Sequence, residues 1–139
     1  MSDCLKISDA ASLALHAMVF LAANPKRRLA AGEIASELHV SEAHLAKVMP
    51  RLAKADLVDS VRGPGGGFIL ARPASQIRLL DAYEAIEGKI EANHCLLGRK
   101  SCGAKRCILG GLVGVVNARV KDYLAETRLS KLSDVFGSE

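Results

Sequence analysis

Arg62 is followed by five residues, four of them glycine: Gly63-Pro64-Gly65-Gly66-Gly67. Such a run is a tight turn, and its flanks say what it joins. Leu57 to Val61 alternates as a strand does, and Phe68 to Ala71 reads as the returning strand. The predicted unit is a small β-hairpin with an almost bare backbone at its tip. Glycine lets a backbone come very close to another surface and adopt positive φ. A phosphate-cradling loop would need Gly-Lys-Ser/Thr leading into a helix. Here Phe68-Ile69-Leu70 follows, so no nucleotide site is expected.

The rest of the chain reads as helix. From Ile7 to Ala23, the residues Leu13, Ala14, Ala17, Met18, Phe20 and Leu21 recur at three- and four-residue steps. Ser8 or Asp9 suits its cap; Asn24-Pro25 and the basic run Lys26-Arg27-Arg28 end it. A second helix is predicted over Ala31 to Leu38. A third follows Ser41, a suitable N-cap, with Leu45, Val48 and Leu52 on one face. Pro50 falls inside it. An interior proline costs about 3 kcal/mol, so a kink or an early end is predicted there. A further helix spans Leu79 to Glu87. A loop rich in Gly, Cys and Lys/Arg runs from Gly88 to Cys107, and the last long helix from Ile108 to Thr127. No internal repeat is present. The fold class is mainly α with one small hairpin.

The second and third helices carry a mechanical pattern. Ile34 and Leu38 face inward, small Ala35 lets the next helix cross closely, Val40 plugs the turn, and Leu45 and Val48 seat the third helix. That is a helix-turn-helix, which frees the outer face of its second helix for a DNA major groove. The free face presents Ser41, Glu42, His44, Lys47 and Arg51. Lys47 and Arg51 suit phosphates or guanine edges, and Ser41 suits a phosphate at the helix start. Many such motifs have glycine where His39 stands, so this turn is predicted to be built differently. The plainer reading is a helical hairpin in a core. A hairpin placed next makes a winged helix, with Arg62, Gly63, Gly65 and Gly66 at a tip suited to the narrow minor groove. The plainer reading of Arg62 is a solvated turn charge.

The chain has 139 residues, with 19 Lys+Arg against 15 Asp+Glu, half of it hydrophobic and no Trp. That excludes a disordered or low-complexity chain. A membrane span needs roughly 20 apolar residues. Leu13 to Ala23 is shorter and contains His16, so a soluble protein is expected. No export signal is read, which places the four cysteines in a reducing cytoplasm, where disulfides are not expected. Asp81, Glu84 and Glu87 share a helix at the spacing of a solvated face. No nucleophile–base constellation accompanies them, so no enzyme is expected.

Cys95, Cys102 and Cys107 lie in one loop, separated by six and then four residues. Thiolates are soft ligands suited to iron–sulfur clusters, Zn and Cu(I). Gly98 and Gly103 free the loop to close around a ligand. Arg99, Lys100, Lys105 and Arg106 are expected to lower the thiol pKa and offset cluster charge. Three alternatives stand beside a cluster: a loop of plain thiols, a reversible disulfide between two of them, and a Zn site, although the spacing lacks CxxC. Cys4, near the terminus, is assigned no role.

Val61-Arg62-Gly63-Pro64-Gly65-Gly66-Gly67-Phe68-Ile69-Leu70-Ala71-Arg72-Pro73 closely resembles the wing of the Rrf2 family of winged-helix regulators. Lys6-Ile7-Ser8 and Leu13-Ala14-Leu15-His16 resemble that family's first helix, and Val40 to Val48 its recognition helix. Ala82 to Gly88 resembles the segment before its cysteine loop. The resemblance covers nearly the whole chain. It implies a homodimeric transcription regulator that binds palindromic operators in double-stranded DNA through a winged helix-turn-helix over residues 1–88. It also implies a cysteine loop over residues 89–107, and a dimerisation helix and tail over residues 108–139. Cluster-binding members carry three cysteines at similar spacing, which implies an iron–sulfur cluster (2Fe-2S or 4Fe-4S) on Cys95, Cys102 and Cys107. Ala46 stands where a cluster-sensing member has a base-reading glutamate, so that member's operator preference is not carried over. Pro50 is unusual there too.

The resemblance leaves the fourth ligand open. One member uses a histidine where this chain has Gly110, which cannot ligate. Others borrow a side chain from the partner subunit's first helix, at positions matching Ser12 and His16. His16 is the stronger candidate; its plainer reading is a satisfied, half-buried histidine. His94, or an open position taken by water or a small thiol, completes the set. Leu109, Leu112, Val116, Val120, Tyr123 and Leu124 stripe the last helix, with Lys121, Asp122, Glu126 and Arg128 away from it. Such a helix is best buried against its own copy, and Gly110, Gly111 and Gly114 would let two backbones approach. Packing on the first helix is the other use. The reading is a repressor whose grip on DNA is gated by the cluster. The alternative is a clusterless regulator governed by thiol redox state or by a partner protein.

Overall fold

The computed structural model describes residues 5–90, 95–97 and 103–136. The expectations for Cys4, His94, Gly98, Arg99, Lys100 and Cys102 concern residues outside these.

The chain is built around one helix, α1 (Asp9–Ala23), whose Ala11, Ala14, Ala17, Met18 and Leu21 are sealed from solvent. Val19, Phe20 and Ala22 are buried as well, so the helix is apolar most of the way round and sits inside the fold. Ser8 caps it: its hydroxyl accepts the Ala11 N–H at 3.1 Å and donates to the Glu87 carboxylate. Asn24 closes it, donating its side-chain amide to the Phe20 carbonyl at 3.0 Å.

The helices α2 (Ala31–Leu38) and α3 (Glu42–Lys54) follow. Ile34, Ala35, Leu45, Val48, Met49 and Leu52 are buried between them and α1, while Leu38 and Val40 are half-buried. The turn keeps the glycine-type geometry after all. His39 takes φ 55°, the Val40 N–H reaches the Ala35 carbonyl at 3.0 Å, and the His39 N–H reaches Ser36 at 3.3 Å. These two bonds make a Schellman motif with histidine at the left-handed position. The end of α3 repeats it. Asp56 takes φ 61°, Leu57 N–H bonds to Leu52 at 3.1 Å, and Asp56 N–H bonds to Ala53 at 3.0 Å. Pro50 does not end α3. Its ring lies on the exposed side, where water can serve the carbonyl left without a donor, and buried Met49 and Leu52 hold the helix through it.

The hairpin is β1 (Val58–Val61) against β2 (Gly67–Leu70), antiparallel, with Val61 opposite Gly67 and Val58 opposite Leu70. Leu29 adds a short third rung. Its N–H donates to the Phe68 carbonyl at 2.9 Å, and the Phe68 N–H donates back at 2.8 Å. A side chain at Gly67 would place its Cβ 2.6 Å from the Leu29 carbonyl carbon, so the third rung requires glycine there.

α4 (Leu79–Glu87) packs on α1, and α5 (Leu112–Glu126) packs on α4. The last helix starts four residues later than predicted, because Gly110 and Gly111 take φ 60° and 83°. After α5 the chain turns back. Leu79 N–H donates to the Thr127 carbonyl and Leu129 N–H to the Ile77 carbonyl, each at 2.9 Å. Ile77 and Leu129 are fully buried at this seam, and a 3-10 turn over Leu129–Leu132 rests on α1.

Candidate nucleic-acid interface and thiol loop

The buried positions of α3 fix what its other side offers. Ser41, Glu42, His44, Lys47 and Arg51 are all exposed. They differ in how far each is committed. The Ser41 hydroxyl accepts the His44 N–H at 3.3 Å as the N-cap, leaving its own proton to donate. The Glu42 carboxylate lies against the first turn of α2: a Cβ on Gly32 would come 3.2 Å from its Oε1. Arg51 is tied down, donating from Nη2 to the Ile86 carbonyl at 2.5 Å near the end of α4. Lys47 makes no ion pair or hydrogen bond among the described residues, so its ammonium is unspent.

The wing presents a second unspent cation. Arg62 is exposed and has no partner among the described residues. Behind it the tip is a type II turn, with Pro64 at the second position, Gly65 at φ 75° in the third, and Gly66 N–H on the Gly63 carbonyl at 2.9 Å. A Cβ at Gly66 would overlap the Val61 carbonyl oxygen, whereas Gly63 and Gly65 face open space. The glycines therefore do two jobs: Gly66 and Gly67 close the hairpin, and Gly63 and Gly65 leave its outer edge bare. Sequence reasoning missed the Leu29 rung, which anchors the wing to the segment entering α2. A lone apolar residue after a basic run gave no strand pattern to read.

Of the predicted ligands, Cys95 is half-buried, Cys107 is exposed, and Cys102 lies outside the described residues. Backbone N–H groups of Gly111 and Leu109, with a smaller share from Gly110, hold the Cys107 thiol below its ordinary range. The Leu109 nitrogen stands 3.4 Å from Sγ. The cause predicted for this shift is corrected for Lys105 and Arg106, the flanking cations among the described residues. Lys105 and Arg106 are exposed and do not contribute to it, while the turn ahead of α5 aims its amides at the sulfur. Side-chain composition could not announce a shift made by backbone.

His16 is exposed rather than half-buried. Its Nδ1 is 2.7 Å from the Ser12 carbonyl oxygen. A carbonyl only accepts, so Nδ1 carries a proton, and Nε2 is the ring nitrogen outside that hydrogen bond. Among the described residues no three His, Cys, Asp or Glu side chains converge closely enough to hold a metal ion. Ser12, the other matched position, is used within its own helix.

On α5 the predicted stripe divides. Leu124 is buried in its own chain, whereas Leu112 and Tyr123 are 53% and 51% exposed. Val115 at 66% and Ile108 at 88% extend the exposed apolar surface. Among the described residues no helix is long and apolar enough to cross a membrane.

Comparison with known proteins places this geometry. The profile of the Rrf2 family, iron-dependent transcriptional regulators, matches residues 7–134. The helix-turn-helix regulator IscR of Cereibacter sphaeroides is 33% identical over 134 residues, covering 92% of this chain and 86% of its own. BadM of Rhodopseudomonas palustris is 41% identical over 83 residues, 60% of this chain and 53% of BadM, so that match spans about half of the relative. The solved structure of CymR, the global cysteine regulator of B. subtilis, superposes with a TM-score of 0.78 at 26% identity, covering 94% of this chain and 98% of CymR. The helices and antiparallel hairpin are those of the winged-helix regulators, and these relatives regulate transcription rather than catalyse reactions. The chain belongs to the Rrf2 family of DNA-binding transcription regulators.

Proposed function

We propose that this regulator is a cytoplasmic homodimer that grips a palindromic operator and represses transcription, with an iron–sulfur cluster controlling the grip. In this reading residues 1–88 hold DNA, residues 89–107 hold the cluster, and residues 108–139 pair the subunits. The observation that carries the DNA half is the pair of unspent cations, Lys47 on α3 and Arg62 at the wing, on a helix and a hairpin of groove size. Ser41, Glu42, His44, Arg51, Gly63, Gly65 and Gly66 would complete the contact surface. The exposed apolar face of α5 supports pairing of two copies.

The donor set suits a cluster. The turn at residues 109–111 favours the thiolate at Cys107, and the Nδ1 bond to Ser12 leaves Nε2 as the ring nitrogen of His16 open to a ligand. Cys95, Cys102 and Cys107 would hold it, with His16 supplied across the dimer. Bound there, a cluster would supply an electron-transfer and oxidation-sensitive centre. A second reading rests on the same sulfur. A thiol held toward thiolate by backbone amides is open to oxidation without any cluster, which makes Cys107 a redox switch in its own right.

Anaerobic reconstitution followed by visible absorption and iron counting separates the two. Colour and iron that disappear in Cys107→Ser support the cluster; colourless, iron-free protein with oxidisable Cys107 supports the thiol switch. For DNA, Arg62→Ala should weaken operator binding about tenfold at low salt, with a difference that shrinks as salt rises. Unchanged affinity at every salt concentration counts against the wing.

A further inference from the structure

A cleft of about 720 Å³ opens between the end of α1, one face of α2 and the returning tail. Half-buried Phe136 gives it an aromatic wall, backed by buried Phe20 and Leu29, and Phe136 meets Phe20 edge to face with ring centroids 5.8 Å apart. Its polar groups include Arg27, Glu33, Ser36 and Glu37. Their charges are not equally committed. Arg27 Nη2 donates to Glu33 Oε2 at 2.6 Å, so those two neutralise each other. Glu37, one turn further along α2, has no ion pair or hydrogen bond among the described residues. The cleft therefore offers aromatic surface and one unneutralised carboxylate, in a space of the size that small-molecule sites occupy.

We propose that this cleft binds a small organic cation with a flat apolar body. Its amidinium or ammonium group pairs with Glu37, and its ring packs against Phe136. An anion is disfavoured because Arg27 is already satisfied by Glu33, leaving the cleft negative. A neutral ring gains the aromatic contact alone. The same Phe136 also lines the apolar hollow beside His16, and Leu29 is the third rung of the wing sheet. The site is thus assembled from parts of the DNA-reading half and the C-terminal tail.

The test uses the full-length protein without DNA, so its outcome is independent of the operator reading. Benzamidine and its neutral isostere benzamide are titrated calorimetrically into wild type, Glu37→Gln and Phe136→Ala. Wild type should bind benzamidine about tenfold more tightly than benzamide, the increment of one charge-assisted hydrogen bond. Glu37→Gln should bring the two affinities together while leaving benzamide unchanged, and Phe136→Ala should weaken both ligands alike. Glu37 is exposed and outside the core, so its variant keeps the fold, which far-ultraviolet dichroism checks. No heat with benzamidine up to about 10 mM, or equal benzamidine affinity in wild type and Glu37→Gln, overturns the proposal.

Discussion

The helix-turn-helix and wing finish their own bonding; the cysteine turn and α5 do not. In the first region Leu45, Met49 and Leu52 are fully buried, and the wing loop is closed by backbone bonds to Gly63 and Leu29. In the second, Ile108, Leu112, Val115 and Tyr123 stand in solvent, and Cys107 is held by a turn rather than by a core. Large apolar side chains left exposed along one helix mark a surface that something else covers. The contrast teaches that the helix-turn-helix and wing are preformed within one subunit, whereas the cysteine turn and α5 leave apolar surface and a thiol uncovered, which a second copy would cover in the proposed dimer.

The sharpest way to break the comparison is to place a charge on the exposed apolar face of α5, where the proposed dimer would pair. Val115→Glu should leave the helix content of each subunit intact and weaken dimerisation by about 3–5 kcal/mol, two to three orders of magnitude, because the carboxylate would be buried without a counter-ion. Analytical ultracentrifugation over a concentration series measures it. A dimer of unchanged affinity would mean that this face is not where the copies meet. In the preformed half the corresponding change falls on the fold itself. Gly67→Ala should destabilise each subunit by about 3 kcal/mol in urea, since its Cβ would press on the Leu29 backbone at 2.6 Å and φ there is 143°. Gly63→Ala should cost about 1 kcal/mol, because φ is 91° but the space is open.

What the sequence disclosed follows the same division. The helix-turn-helix and hairpin were legible because a buried apolar residue at every third or fourth position, and four glycines after Arg62, leave few alternatives. The turn at His39 was misread. A left-handed residue was sought as glycine, yet the motif is set by two backbone bonds and by apolar Val40 and Leu57 just beyond each helix end. The start of α5 was placed too early because Gly110 and Gly111 were read for close packing rather than for their positive φ. The cysteines were visible, but what surrounds Cys107 was not, since backbone amides carry no sequence signature.

The misread turn gives the next prediction. Histidine and aspartate in the left-handed region each carry a Cβ penalty, offset in part by the extra freedom glycine has when unfolded. His39→Gly and Asp56→Gly should each raise unfolding stability by about 0.5–1 kcal/mol, read from the urea midpoint at constant slope. Because both turns lie in the preformed half, neither change should alter dimer affinity. A coupled change would show that the two halves are less separate than their packing implies.

The seam between the halves carries the smallest effect. Arg78 pairs through its backbone with Arg128 in the returning tail, and Asp81 secures Arg78 at the start of α4. The Asp81 carboxylate accepts the Arg78 backbone N–H and the Arg78 guanidinium, each at 2.8 Å. Partial burial pushes that carboxyl up, but hydrogen bonds from the Arg78 side chain and backbone outweigh it and hold it below the ordinary value of 3.8. A carboxyl whose pKa is depressed by folding stabilises the native state above its unfolded pKa, and loses that contribution as pH falls through the folded value. Asp81→Asn should therefore cost less than about 1 kcal/mol near neutrality, the range of a partly solvated pair. The deficit should stay level down to about pH 5 and close below pH 3.8, where wild type protonates too. Proteolysis after residue 127 should quicken in the variant at neutral pH and match wild type in acid, since loosening Arg78 loosens the tail it pairs with. A deficit that persists unchanged into acid would assign the role of Asp81 to shape rather than charge, and the seam would then be held by the Ile77–Leu129 core and its two backbone bonds.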